Sequence, residues 1–357
     1  MSQLSGATPV LAVIGTGSIA KFHLEAFAAM GTTVAVISDL HASSAQPWCA
    51  RLGARFEPSW QVAVTDPAIN TVVICTPTPV HYPVALTALA AGKHVVCEKT
   101  LGLTPLESGE LLRQAAARGV QLHTCYMKRF FPAVQRAKAL IPRLGRLTGA
   151  YFRTHQPVPC DVLENEALGF FSSVDGQPSS VRCMSGGGVL ICGGSHLVDM
   201  ILHLIGQPAA VSAAELRRPH ADVELVHQGL LRYADGHAVH LDCTWHARGG
   251  IGLGNDGWDE VFTIDGSQGR LVLETPVWNQ PAARPCRLRT YFRGEGWSEP
   301  EYPAICAFTE FERHVLHNIS SGHQDPVMDA ATGYRADVVL AALGQAAHSG
   351  TVVPLTF

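Results

Sequence analysis

The stretch GGGVLICGGSHLVDM, residues 186–200, sets Cys192, His196 and Asp199 four and then three residues apart. On a helix of about 3.6 residues per turn that spacing brings a thiol, an imidazole and a carboxylate onto one face, among leucine and valine. An imidazole there can hold a substrate oxygen or relay its proton, because its charge is easily tuned near neutral pH. Asp199, one turn further, can orient that ring, bind a substrate hydroxyl, or simply anchor the helix. A thiol is mostly protonated at neutral pH and cannot copy a carboxylate. Cys192 is therefore read as shaping a pocket, with a thiolate activated by a neighbouring cation as the alternative. The glycines of the run would let a ligand approach the backbone.

Elements that could position this stripe are legible along the chain. Residues 10–15, VLAVIG, form a short apolar run ending at glycine, as a buried parallel strand does. In IAKFHLEAFAAMG the residues Ile19, Phe22, His23, Ala26, Phe27 and Met30 recur at helical spacing until Gly31. TTVAVISD, NTVVICT, HVVCEK and VQLHTCY read as further strands; residues 43–53, VHYPVALTALAAGK and TPLESGELLRQAAARG read as the helices between them. Alternation of this kind predicts an α/β fold: a doubly wound parallel sheet of Rossmann type in residues 1–128. Beyond it, runs such as AVHLDCTW, EVFTIDG and GRLVLE, separated by glycine and proline turns, predict an α+β domain over residues 129–357 with a large, mostly antiparallel open sheet. A C-terminal helix could pack back on the first domain. The glycine-dense segment 247–258 reads as a mobile surface loop.

Composition limits the partners. A chain of 357 residues exceeds one ordinary core, and 47% hydrophobic against 16% charged residues describes a compact enzyme-like globule. The 26 basic and 30 acidic residues recruit neither nucleic acid nor an anionic membrane. The start, MSQLSGATPV, lacks a secretory pattern, and no run is long enough to span a bilayer, so the cytoplasm is the expected compartment. Ten scattered cysteines without a Cys-x-x-Cys pair read as reduced core residues, and no metal is expected.

GTGSIA, Gly15–Ala20, places a Gly-x-Gly-x-x-Ala between the first strand and first helix. Gly15 permits the tight turn, and Gly17 lets a pyrophosphate approach the backbone. Ala20 packs helix on strand, and Ser18 and Ile19 open the helix whose N–H groups face the phosphates. Asp39 ends the second strand, where a carboxylate accepts ribose hydroxyls and repels a 2'-phosphate; NAD is favoured, with NADP tolerated because of His41.

Three motifs in order then resemble the glucose-fructose oxidoreductase and inositol dehydrogenase family (Gfo/Idh/MocA). They are CTPTPVHYPVALTALAAGKHVVCEKT (75–100), YMKRFFP (126–132) and the glycine-led helix of the opening stretch. The resemblance implies that Thr76, Pro77 and His81 line a cofactor groove, that Glu98 contacts the nicotinamide ribose, and that Lys99 lies beside the reacting carbon. It also implies a homodimer or homotetramer joined through the open sheet. Thr100 stands where the family has proline, and Cys192 where it has an aspartate.

Hydride transfer from an alcohol requires the hydroxyl proton to leave, and Lys99 after the apolar HVVC is the leading candidate to take it, since partial burial favours the neutral amine. His196 would meet the same substrate from the second domain. The expected activity is NAD-dependent oxidation of a secondary alcohol in a polyol substrate: a sugar, sugar nucleotide or cyclitol. Asp199, His196, Cys192, Arg129 and Tyr126 are the candidates for holding it. Arg129 reads equally as an ion-pair residue and Tyr126 as a packed aromatic. The alternatives are an NAD(P)-binding sensor without turnover and an imine or enol reductase.

Overall fold

The computed structural model describes residues 8–157, 186–217, 223–246, 250–323 and 326–357. The first seven residues, read above for a secretion signal, and positions 247–249 of the glycine-dense segment lie outside the described residues. The chain divides into two compact units, one reaching Met127 and taking in Phe308–Asp337, the other formed by Lys128–Ala307 and Val338–Phe357. A single boundary at 128 thus gains a return of the chain to the first unit.

In the first unit six parallel strands lie in the order β3-β2-β1-β4-β5-β6. They are β1 Val10–Ile14, β2 Thr33–Ser38, β3 Arg55–Glu57, β4 Thr71–Ile74, β5 His94–Cys97 and β6 Leu122–Thr124. Helices α1 (Ala20–Met30), α2 (Ala42–Leu52), α3 (Trp60–Thr65), α4 (His81–Ala90) and α5 (Pro105–Arg118) connect them. Every residue of β4 and β5 is buried, which is why these strands read as unbroken apolar runs. Thr104 caps α5 by accepting from the Glu107 N–H, with Pro105 in the first turn. The short β3 and α3 carry too weak a pattern to be read from sequence.

The second unit holds nine strands in the order β14-β13-β12-β11-β7-β10-β9-β8-β15. They are β7 Leu147–Pro157, β8 Ala210–Leu216, β9 Val226–Arg232, β10 Ala238–His246, β11 Asp259–Gly266, β12 Gly269–Glu274, β13 Arg287–Phe292, β14 Gly296–Ser298 and β15 Val353–Pro354. All pairs are antiparallel except β7 with β10. Along β7, Ala150, Phe152, Thr154 and Gln156 are buried while Tyr151, Arg153 and His155 are not, the period-two signature of a sheet covered on one face. Helices α6 (Pro132–Leu140) and α7 (Ser195–Leu204) belong to that covering layer. The described part of the glycine-dense segment is tied down: Arg284 pairs with Asp256 at 2.7 Å, and Trp258 is buried. Two further helices, α8 (Ala307–Ser321) and α9 (Thr332–Ser349), close the chain. Among the described residues no helix is long and apolar enough to cross a membrane.

Each unit keeps a histidine neutral by burial. Desolvation lowers His123 of β6, helped by the charges of His314 and His94, and lowers His227 of β9, each to about 4 from 6.5. The unfolded rings take up a proton near pH 6.5 and the folded rings only near pH 4, so the unfolded state binds more protons in that window and stability falls as the pH falls. Melting temperatures by circular dichroism are expected to drop between pH 7 and pH 5, and to drop less in His227→Leu; equal losses in both proteins would contradict the assignment.

Candidate functional site

The strand order reverses between β1 and β4, and ligands of open parallel sheets bind at the carboxyl edge of such a switch point. The chemistry-bearing residues of the first unit collect along that edge. Each ladder runs one residue past its strand: Cys75 N–H donates to Ile14 O (2.8 Å), Glu98 N–H to Ile74 O (2.9 Å) and Cys125 N–H to Cys97 O (2.7 Å). Gly15, at φ +92°, has no alternative residue, because a Cβ there would lie 2.8 Å from the Cys75 carbonyl oxygen. A Cβ on Gly17 would meet nothing within 4 Å. Nor does a side chain cap α1, whose first turn carries no acidic residue. Open space before uncapped N–H groups and the positive end of the helix dipole is what a pyrophosphate requires, so the residues present fit a dinucleotide. Gly17 and Ser18 are exposed and Ile19 partly so.

Asp39 is partly exposed and already engaged. Its Oδ2 accepts from the Thr16 N–H (2.7 Å) and hydroxyl (2.6 Å), and its Oδ1 from the His41 N–H (2.8 Å). The carboxylate ties the glycine turn to the end of β2 and keeps lone pairs for ribose hydroxyls. Beside it Leu40 is 81% exposed, an apolar surface that sequence reasoning passed over.

Thr76 and Pro77 are partly exposed on the turn after β4, whereas His81 is buried behind them. Its Nε2 meets the Thr76 carbonyl (2.9 Å) and its Nδ1 the Thr100 carbonyl (2.7 Å), and burial lowers its pKa. The neutral ring has one N–H to donate, so His81 sits between the two turns and bonds one of the two carbonyls. Lys99 is partly buried, and the Lys99–Thr100 peptide is cis. The loop that follows is held from α9, where Asp337 accepts from the Gly102 N–H at 3.1 Å.

Glu98, by contrast, points inward. Its Oε1 lies 2.8 Å from His23 Nε2, its Oε2 accepts from the Lys99 N–H (3.1 Å), and His23 Nδ1 lies 2.5 Å from Glu312 Oε1. All three side chains are buried. Burial pulls the His23 pKa down, but hydrogen bonds and charge from Glu312 and Glu98 reverse this and lift it to about 10. Burial disfavours the Glu98 carboxylate too, yet His23 holds its pKa below the usual range, while burial raises that of Glu312. The raised ring contributes stability in full below pH 6.5, and that contribution is lost as the pH rises through about 10. Sequence reasoning took His23 as one member of an apolar stripe; an imidazole on a buried face needs a polar partner, and that was the available signal. Glu312, 289 residues away, gave none.

In the second unit the opening stripe is divided. Cys192 lies in a π-helical turn, Leu190–Gly194, that leads into α7, and like His196 it is partly exposed. Asp199 is 1% exposed and faces Arg129, whose Nε reaches both carboxylate oxygens at 3.1 Å and whose second contact is 2.6 Å. Burial raises the Asp199 pKa against that guanidinium. Lys128, next to Arg129, is buried and paired with Glu260. Tyr126, in the first unit, is fully buried. The glycines correct the expectation of ligand approach: a Cβ on Gly188 would strike Glu224, on Gly193 Gln156 (2.3 Å) and on Gly194 Cys243 (2.8 Å). They let this segment press against neighbouring side chains of the same unit.

Comparison with known proteins agrees with this architecture. Residues 10–126 match the oxidoreductase family, NAD-binding Rossmann fold, and residues 134–272 the GFO/IDH/MocA C-terminal domain. A trans-1,2-dihydrobenzene-1,2-diol dehydrogenase of Sus scrofa is 28% identical over 62% of this chain and 59% of its own length. A levoglucosan dehydrogenase of Pseudarthrobacter phenanthrenivorans is 29% identical over 56% of this chain and 52% of its own. A scyllo-inositol 2-dehydrogenase (NADP(+)) of Bacillus subtilis is 34% identical over 42% of this chain and 38% of its own. The chain thus spans between about two-fifths and three-fifths of these relatives. In fold, it is similar to a levoglucosan dehydrogenase in complex with NADH and levoglucosan (TM-score 0.81, 22% identity, 98% of this chain and 99% of that one). It is also similar to the WlbA dehydrogenase of Bordetella pertussis in complex with NADH and UDP-GlcNAcA (TM-score 0.77, 21% identity, 98% of this chain and 100% of that one). The chain belongs to the Gfo/Idh/MocA family of oxidoreductases, and its first unit is that family's NAD-binding Rossmann domain.

Proposed function

We propose that the protein is an NAD-dependent dehydrogenase acting on a secondary alcohol of a sugar, sugar nucleotide or cyclitol. The observation that carries this reading is the shared edge: the open space over Gly17 and the amine-bearing Glu98-Lys99 turn belong to the carboxyl ends of one sheet. Relatives described as dehydrogenases of levoglucosan and scyllo-inositol support the substrate class. When bound, NAD supplies the hydride acceptor.

In this reading Gly15, Gly17, Ser18 and Ile19 hold the pyrophosphate, Asp39 the adenosine ribose, and Thr76 and Pro77 the middle of the cofactor, with His81 fixing their turn. Asp39 keeps acceptor capacity beyond its bonds to Thr16 and His41 and has no donor, which favours NAD over NADP. Lys99 Nζ takes the substrate hydroxyl proton in oxidation and returns it in reduction. His196 and Cys192, the partly exposed members of the stripe, are what the second unit offers to substrate; Asp199 anchors α7 through Arg129. A homodimer or homotetramer in the cytoplasm completes the reading.

Two expectations follow from the crevice and its amine. Gly17→Ala should melt like the parent, since its Cβ meets nothing, while NADH affinity falls about tenfold or more; unchanged affinity would remove the pyrophosphate from this turn. Lys99→Met should lower kcat/KM about a thousandfold on whichever of levoglucosan, inositols and UDP-sugars is best oxidised, with NADH affinity changed little. Undiminished NADH formation in that variant would exclude Lys99 from proton transfer.

A further inference from the structure

The buried Glu312–His23–Glu98 chain is absorbed by none of these roles. We propose that His23 and Glu312 are positioning residues for the nicotinamide end of the crevice: the imidazole, gripped between two carboxylates, sets the orientation of Glu98 and of the Lys99 backbone beside it. The proposal rests on the dinucleotide reading of the crevice and deepens it.

The three groups come from three elements, α1, the turn after β5, and α8, and are 1%, 6% and 0% exposed. His23 stands one turn into the helix whose N-terminus faces the phosphates, and Glu98 follows β5 in the half of a Rossmann sheet that receives the second mononucleotide. The imidazole therefore links the two halves of the cofactor edge. Stability alone does not account for it, because a packed apolar trio would avoid the desolvation that three buried ionisable groups cost. What the chain does supply is direction. One Glu98 oxygen is fixed by His23 and the other by the Lys99 N–H, so neither the carboxylate nor the residue carrying the amine is free to turn.

A metal centre is the competing reading, since ligand atoms of His23, Glu98 and Cys125 lie within 4.8 Å of one another. Both His23 ring nitrogens are already committed to carboxylates, and the Cys125 thiol, pushed far up by burial, is hydrogen-bonded to Glu98. Hydrogen bonds account for this cluster. The titratable groups that act on the ring and its partners are Glu98, Glu312, Lys99 and the thiols of Cys75, Cys97 and Cys125.

NADH and ADP, which lacks the nicotinamide and its ribose, separate the two ends of the crevice. The double substitution His23→Gln/Glu312→Gln removes the imidazolium and one carboxylate together, so Glu312 is not left as a lone buried charge. Its preference for NADH over ADP is expected to fall about tenfold, with ADP affinity within about threefold of the parent. An unchanged preference, or an equal loss for both ligands, would overturn the proposal and leave the chain a structural brace. Failure of the parent to bind either ligand would instead sink the dinucleotide reading beneath it. Should the double variant not fold, 15N NMR of the parent decides: both His23 ring nitrogens are expected to be protonated at pH 8 and to shift on adding NADH but not ADP. A neutral ring, a ring indifferent to nicotinamide, or a stoichiometric metal in the purified protein would refute it.

Discussion

Where β1 ends, its backbone lies so close to the end of β4 that a single methyl group on residue 15 would stand 2.8 Å from the Cys75 carbonyl oxygen. The rest of the first unit follows from that approach. Because the turn at Gly15 can press against Cys75, the chain enters α1 directly over the sheet edge, and the helix N-terminus faces the switch point. Thr16 is then within reach of Asp39, which binds it twice, and the turns after β1, β2 and β4 become one rigid rim. A bulkier residue at 15 would separate the strand ends and dismantle the rim before any ligand is considered.

Rigidity along the rest of the edge is electrostatic. His81 packs between the Thr76 and Thr100 carbonyls with one N–H to donate; His23 ties Glu98 to Glu312; Asp337 holds the loop after Lys99. The second unit uses the same device, pairing Arg129 with Asp199 and Lys128 with Glu260 beneath the surface. Buried pairs of this kind add little net stability, yet removing one partner costs about 3–5 kcal/mol, so each fixes a geometry strongly once formed. The turns are held from behind, with Gly17, Ser18 and Lys99 among the groups turned toward solvent to differing degrees.

The sequence made the scaffold legible where its physics is local. Apolar runs four to six residues long, glycines closing α1, α2 and α5 at positive φ, and the Gly15-x-Gly17 turn all announce themselves within a few residues. The antiparallel sheet was visible as strand-like runs separated by glycine and proline turns. What escaped was non-local. Asp199 was seen beside His196 on one helix, but not its burial or its pairing with Arg129, 70 residues earlier. The glycines before α7 looked like room for a ligand and prove to be room for Glu224, Gln156 and Cys243, which no local pattern could reveal. Likewise nothing near Glu312 connects it to His23.

The central claim is that the carboxyl edge of the six-stranded sheet holds a dinucleotide with its reactive end at the Glu98-Lys99 turn. A crystal structure of the protein with NADH tests it most directly. The pyrophosphate is expected over Gly17 and the α1 N-terminus, the adenosine ribose at Asp39, and the nicotinamide on the Lys99 side of the crevice. Density for NADH elsewhere, or in the crevice with its nicotinamide at Asp39, would contradict it.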